Sequence, residues 1–223
     1  MKRVFIIAIT APLAALAWAG TLPNAAEPDV MRLGFFASGG VQNYFYMLHG
    51  LPYSEFYEVR AYGAGGGAWA QYDQTWFSYA MRFKVTEFGG SGFRATFIEW
   101  DHDYYLYLAK GGIRPFIEPN ASIGSAGGFR ACFGIGGGVR WNMRDSPFYA
   151  TVSGGYKYVG GDDYEKGDWS IGKVSIYFAL SDAVALYAGA EAERSSHDYR
   201  YKGHQSDGPR WRGRVDVGPS WAF

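Results

Sequence analysis

The chain has 223 residues, 21 basic and 21 acidic side chains, 32 glycines, one cysteine and a 19% aromatic fraction. A lone Cys132 excludes a disulfide scaffold, and a formal charge of zero lacks the basic excess of a dedicated nucleic-acid binder, so no nucleic-acid partner is expected. Dense aromatics with frequent glycine favour extended, turn-rich structure over helix, and an all-β chain is expected.

Lys2 and Arg3 open the chain and Val4 to Leu16 form an apolar run. Ala17-Trp18-Ala19 then fits the small-x-small cleavage pattern of a secretory signal peptide, with Ala17 and Ala19 as its small residues. The run is shorter than the roughly 18 to 20 apolar residues of a spanning helix. Residues 1–19 are therefore expected to be a signal peptide, 20–29 a short N-terminal segment and 30–223 the folded body. Cleavage removes two basic residues and leaves 19 against 21 acidic ones. No comparable apolar run follows, which excludes a helical membrane protein. A soluble all-β domain or a closed transmembrane barrel remains.

In chain order, weak strand candidates lie at Val30 to Ser38 and Ser54 to Ala64. Phe77, Tyr79, Met81, Phe83 and Val85 then alternate with Ser78, Ala80, Arg82, Lys84 and Thr86. Phe93 to Ala109 loses its phase around Asp101-His102-Asp103, which predicts a bulge or a division into two strands. Ile113 to Ile123 alternates, with Arg114, Glu118, Asn120 and Ser122 on its polar face. Phe129 to Trp141 keeps a strict period of two, setting Phe129, Phe133, Ile135, Val139 and Trp141 against Arg130, Cys132, Arg140 and three glycines. Phe148 to Tyr158, Lys173 to Leu180, Val184 to Glu193 and Trp211 to Phe223 repeat that pattern. Ten strands result, with eight or twelve as the alternatives allowed by the even-number rule.

Segments of about ten residues suit a bilayer crossed at a barrel's tilt. Counting back from the C-terminus, the short connections Asn142 to Pro147 and Ser181 to Ala183 fall at one end. The longer polar ones, Gly160 to Asp168 and Ser195 to Arg210, fall at the other. A secreted sandwich or lipocalin-like barrel would alternate as regularly. The polar face here, however, is crowded with glycine as well as charge, and the apolar face begins and ends with Tyr, Trp or Phe, as membrane interfaces require. The expected fold is a single antiparallel transmembrane β-barrel.

The C-terminus carries a resemblance. Phe223 ends the chain, preceded on one face by Trp221, Val217 and Val215, and this resembles the closing-strand signal of Gram-negative outer-membrane β-barrel proteins. Pro219 departs from that pattern by removing a ladder donor. The segment Ser170 to Glu193 is similar to strand pairs of porin-like and small barrels. The resemblance implies a bacterial outer-membrane location, contact with outer-membrane lipid, and recognition of Val217, Trp221 and Phe223 by the barrel assembly machinery.

With the apolar faces toward lipid, the polar faces line a lumen. The phase assigns to it Arg32, Arg60, Arg82, Lys84, Arg94, Arg114, Arg130, Arg140, Lys157, Lys173, Arg212 and Arg214, against Glu58, Glu118, Glu191, Glu193 and Asp216. Two readings follow. One is a structural barrel whose interior is packed by side chains and ion pairs. The other is a porin-like, narrow passage preferring small anions, in which Gly134, Gly136, Gly138, Gly155 and Gly189 leave room and the basic surplus of seven attracts anions.

An enzyme is not the leading expectation. The alternatives are a rim hydrolase resembling omptin or lipid A-modifying barrels, with Asp101-His102-Asp103 facing His197-Asp198 at an extracellular rim, or a surface-binding barrel acting through loops such as Asp198 to Asp207. The runs Gly63 to Gly67 and Gly134 to Gly138 lack the lysine and hydroxyl of a phosphate loop. His49, His102, His197 and His204 show no ligand spacing, so neither metal nor cofactor is expected.

Overall fold

The computed structural model describes residues 30–47, 56–90, 93–109, 112–125, 129–142, 148–161, 167–201 and 204–223, with backbone alone at 44–47, 56–59, 93, 142, 161, 196–201 and 204–208. The expected signal peptide, its cleavage site at Ala17 and Ala19, and the segment 20–29 lie outside the described residues.

Ten strands form one sheet closed on itself: β1 (Val30–Met47), β2 (Phe56–Asp73), β3 (Phe77–Gly90), β4 (Phe93–Tyr107), β5 (Ile113–Ser125), β6 (Phe129–Asn142), β7 (Phe148–Gly161), β8 (Gly167–Ala179), β9 (Val184–Tyr201) and β10 (His204–Ala222). Each pairs antiparallel with its sequence neighbours, and β1 pairs with β10 to complete the ring. Closure leaves no free sheet edge, the condition for a β-structure to survive in hydrocarbon. Both ends of the ring, Val30 and Ala222, lie at the end that carries the turn Gln74 to Trp76 and the turn Leu180 to Ala183. We assign this end to the periplasm.

The outward face is apolar because alternate residues point outward. Ile117, Ile123, Ile135, Val152, Ile176, Val215 and Val217 are exposed along the middle of the wall. Toward the periplasmic end they give way to Trp141, Phe148, Phe178 and Phe223, and toward the other end to Tyr62, Phe129, Tyr156 and Tyr158. Two aromatic girdles thus flank an apolar band, as in transmembrane barrels.

Three sequence expectations need correction. The phase loss at Asp101 to Asp103 is neither bulge nor break, because β4 keeps an uninterrupted register with β3 from Phe77↔Leu106 to Gly90↔Phe93. The pattern blurs there because Phe97 and Tyr107 face inward while His102 faces outward. Ser195 to Arg210 is not a long loop, since β9 and β10 run on as a paired hairpin to Tyr201↔His204. The weak candidates at Val30 and Ser54 also grow into 18-residue strands. The adjacent strands β9, β10, β1 and β2 are therefore longer than the rest and project at the extracellular end. Pro219 does not shift the closing register. Pairing of β1 with β10 lapses between Gly34↔Ser220 and Ala37↔Val217 and resumes in step.

Candidate functional site

The interior is the chemically loaded part of the molecule. Inward aromatics pack it toward both ends. Phe36, Trp69, Tyr177 and Tyr187 cluster toward the periplasmic side, with Tyr149 stacked on Tyr177 at 4.1 Å between ring centroids. Ala61, Phe88 and Phe97 form a second cluster and Cys132, Val159 and Trp169 a third.

The inward glycines do not leave free volume here. A Cβ on Gly34 would stand 2.5 Å from the Trp69 indole, one on Gly63 2.6 Å from the Phe88 ring, and one on Gly138 2.8 Å from Phe116. Rings lie on these glycines, which supply the flat floor that a wide side chain needs when it folds down across its own wall.

Between the aromatic clusters lies a belt of charge. Glu99 faces Arg130, Arg212 at 3.2 Å, Arg214 at 3.2 Å and Lys84 at 3.6 Å. Lys84 also pairs with Asp101 and lies 3.9 Å from Glu191. Arg214 reaches Glu191 and Asp216, each at 3.2 Å, and Glu193 holds Lys157 and Arg212. A separate group joins Arg82 to Asp103 at 2.5 Å and Lys173 to Asp103 and Glu118 at 2.7 and 2.8 Å. The belt contains seven cations, Arg82, Lys84, Arg130, Lys157, Lys173, Arg212 and Arg214, and seven carboxylates, Glu99, Asp101, Asp103, Glu118, Glu191, Glu193 and Asp216. Lys84 and Glu118 are each 2% exposed, out of reach of bulk water. Burying such charges is tolerable only because each finds an opposite charge nearby.

A third group occupies the periplasmic mouth. Asp73 accepts hydrogen bonds from both terminal nitrogens of Arg140 (2.6 and 3.0 Å), from Ser78 Oγ at 2.6 Å and from Gln71 Nε2 at 2.7 Å, and it pairs with Arg32. Arg140 also donates to the Tyr107 hydroxyl at 2.8 Å, and Arg114 lies over the Tyr107 ring at 4.1 Å.

The lumen assignment therefore changes in composition. Arg60 and Arg94 do not line it. Both lie exposed on the outer face, where Arg94 pairs with Glu87. The side chain of Glu58 lies outside the described residues. Asp73, Glu99, Asp101 and Asp103 join the interior, and Arg210, over Trp169, joins it near the extracellular mouth. Among the described residues this gives eleven basic against eight acidic groups, a surplus of three where the alternation gave seven. The missed acids sit on β2 and β4, whose phase the sequence left blurred.

The rim triad does not assemble as expected. Asp101 and Asp103 point into the belt, whereas His102 points to the lipid side, hydrogen-bonded to Tyr79 at 2.6 Å and packed against Trp100. Adjacent strand residues face opposite ways, so one strand cannot aim all three at a substrate. His102 also pairs with Met81 in the periplasmic half of the wall, away from the extracellular rim. The side chains of Ser196, His197 and Asp198 lie outside the described residues. Among the described residues no group of His, Cys, Asp and Glu side chains is arranged to hold a metal ion.

No family model and no curated protein matches the sequence. Solved structures do match the fold. The outer membrane protease OmpT from Escherichia coli is 10% identical, with 92% of this chain and all of that one covered at a TM-score of 0.54. The chain has the fold of Gram-negative outer-membrane barrels. The translocator domain of the autotransporter NalP from Neisseria meningitidis (14% identical, TM-score 0.45, covering 100% of this chain and 97% of that one) is also similar. So is LpxR from Salmonella typhimurium (8% identical, TM-score 0.43, covering 83% and 99%). The closed barrel, its apolar wall and its two girdles belong to the bacterial outer membrane, with lipid as the surrounding partner.

Proposed function

We propose that the protein is a structural outer-membrane barrel that is sealed to ions. The observation that carries this reading is the charge belt, in which seven cations meet seven carboxylates between aromatic clusters, five of each buried and the other four half-buried. A selective passage for anions needs cations that are unmatched and wet. Those of the belt are matched and mostly buried, and the space over the inward glycines is already taken, by rings at Gly138 and Gly189 and by the neighbouring strands at Gly134, Gly136 and Gly155. The reading assigns no catalytic role, since His102 is turned away from Asp101 and Asp103. Recognition by the assembly machinery through Val217, Trp221 and Phe223 belongs to the same proposal, because the first two lie on the lipid-facing side of the closing strand.

The test is conductance in planar bilayers by the refolded, full-length barrel. The expected outcome is no unitary current above leak. A steady anion-selective current from the unaltered protein would overturn the proposal.

A further inference from the structure

Subtracting the neutral belt shows where the interior's positive surplus sits. The periplasmic mouth holds three guanidiniums, Arg32, Arg114 and Arg140, and one carboxylate, Asp73. Asp73 is saturated by Arg32, Arg140, Ser78 and Gln71, so Arg114 has no share in it. Arg114 instead stands directly opposite Arg140 across the β5–β6 ladder. Like charges in facing positions of a sheet repel.

The second observation is a pair of orphaned polar atoms in the same group. Arg140 Nε and the Tyr149 hydroxyl are buried without a hydrogen-bond partner, and Arg140 is only 3% exposed. Tyr149 lies beneath both Arg32 and Arg140, with its ring centroid 4.9 and 5.2 Å from their guanidinium carbons. A buried donor left without an acceptor is costly. Two of them beside a guanidinium that has a ring but no carboxylate describe a place short of an acceptor. Arg32 and Arg114 are partly exposed, so the place is reachable from the periplasmic end.

We propose that the periplasmic mouth binds a phosphate group, held by the half-exposed guanidinium of Arg114 together with Arg140 and Arg32. At neutral pH a phosphate monoester carries a charge of about −1.5 to −2, which offsets the local surplus of two. Its oxygens accept from several N–H groups at once, as guanidiniums favour. The site lies on the lumen side of the wall, so the ligand is a solute of the periplasm and not a lipid headgroup. The site is static and implies no passage. It therefore stands or falls separately from the sealed-barrel reading.

The experiment measures thermal unfolding of the refolded, full-length barrel against inorganic phosphate, with sodium chloride matched for ionic strength. A second series uses vesicles with and without anionic phospholipid. Phosphate is expected to raise the melting temperature of the unaltered protein saturably while chloride does not, and anionic lipid is expected not to substitute for it. Arg114→Met is expected to weaken apparent phosphate affinity by about tenfold or more, the loss of one charge-assisted contact. Arg114→Met keeps an apolar side chain over the Tyr107 ring and removes the charge facing Arg140, so the variant is expected to melt within a few degrees of the parent without phosphate. Glu87→Gln at the opposite rim is expected to respond as the parent. Equal phosphate and chloride responses, an undiminished response in Arg114→Met, or full replacement by anionic lipid would each overturn the site.

Discussion

At the scale of single residues, the interior is held by two kinds of complementarity, ring against glycine and carboxylate against cation. Gly34→Ala must push aside the Trp69 indole, which is itself wedged between Tyr177 and Tyr187 at centroid distances of 5.6 and 5.5 Å. Overpacking of this kind costs about 1–3 kcal/mol. Gly172→Ala, on the outer face with nothing within 4 Å of its Cβ, is expected to change stability by less than about 0.5 kcal/mol. Urea unfolding in lipid vesicles compares the two, and equal costs would show that the ring does not rest on the glycine. Asp73→Asn leaves Arg32 and Arg140 without their carboxylate, and breaking a buried pair from one side costs about 3–5 kcal/mol. The same measurement in Asp73→Asn/Arg140→Gln is expected to give less than the sum of the single losses, because one of the two orphaned charges, the more deeply buried, is then gone. Additive losses would mean that the two residues act independently.

At the scale of strands, β6 shows why some of the fold was plain in the sequence and some was not. Its inward positions are Arg, Cys and Gly and its outward ones Phe, Ile, Val and Trp, so the contrast between faces is large at nearly every step. On β2 the inner face mixes Ala61, Trp69 and three glycines while the outer face carries Ala64, Gly66, Ala68 and Ala70, so both faces read as small or apolar and the period vanishes. On β4 inward aromatics and the outward His102 invert the usual contrast. Charges on the clean strands could therefore be assigned to a side from phase alone, whereas Glu99, Asp101 and Asp103 could not. Which cation each carboxylate meets was not readable at all, since Asp73 and Arg140 are 67 positions apart in sequence and meet only across the barrel. The seam between β1 and β10 carries its own prediction. A Cβ on Gly218 would stand 1.8 Å from the Phe35 carbonyl oxygen, whereas one on Gly213 of the same strand meets nothing closer than 3.9 Å. Gly218→Ala is expected to prevent closure, seen as loss of the compact, heat-modifiable band in gel electrophoresis, while Gly213→Ala retains it. A compact band from Gly218→Ala would mean that the seam is looser than described.

At the scale of the whole molecule, the ring and its extracellular extension are separable. Pairing of β1 with β10 ends at Gln42↔Arg212, and just above it the Asn43 side chain accepts from the Trp211 N–H at 2.7 Å and donates to the Pro209 carbonyl at 2.9 Å. Beyond this clamp the hairpins β1–β2 and β9–β10 continue as separate paired units. Replacing residues 197–208 by a tight turn removes none of the belt and none of the seam. The shortened chain is expected to insert into vesicles and to melt within a few degrees of the parent, as surface changes clear of the core do. Failure to insert would show that the extension takes part in building the ring.

The way the ring shuts also governs how the protein can be made. Phe223 donates its N–H to the Met31 carbonyl and accepts from the Met31 N–H, so the residue that follows β10 locks the first strand. Nine of the ten strand pairs join neighbours in sequence, but the tenth brings Arg32 to Ala222 and must wait until all ten strands are present. Until then the growing sheet keeps two open edges, each a template for a stray strand, and the loop that must close is the longest available. Synthesis and folding are therefore separated in time. The polypeptide must travel as an unclosed chain, and the arrival of β10 against β1 decides when that vulnerable interval ends.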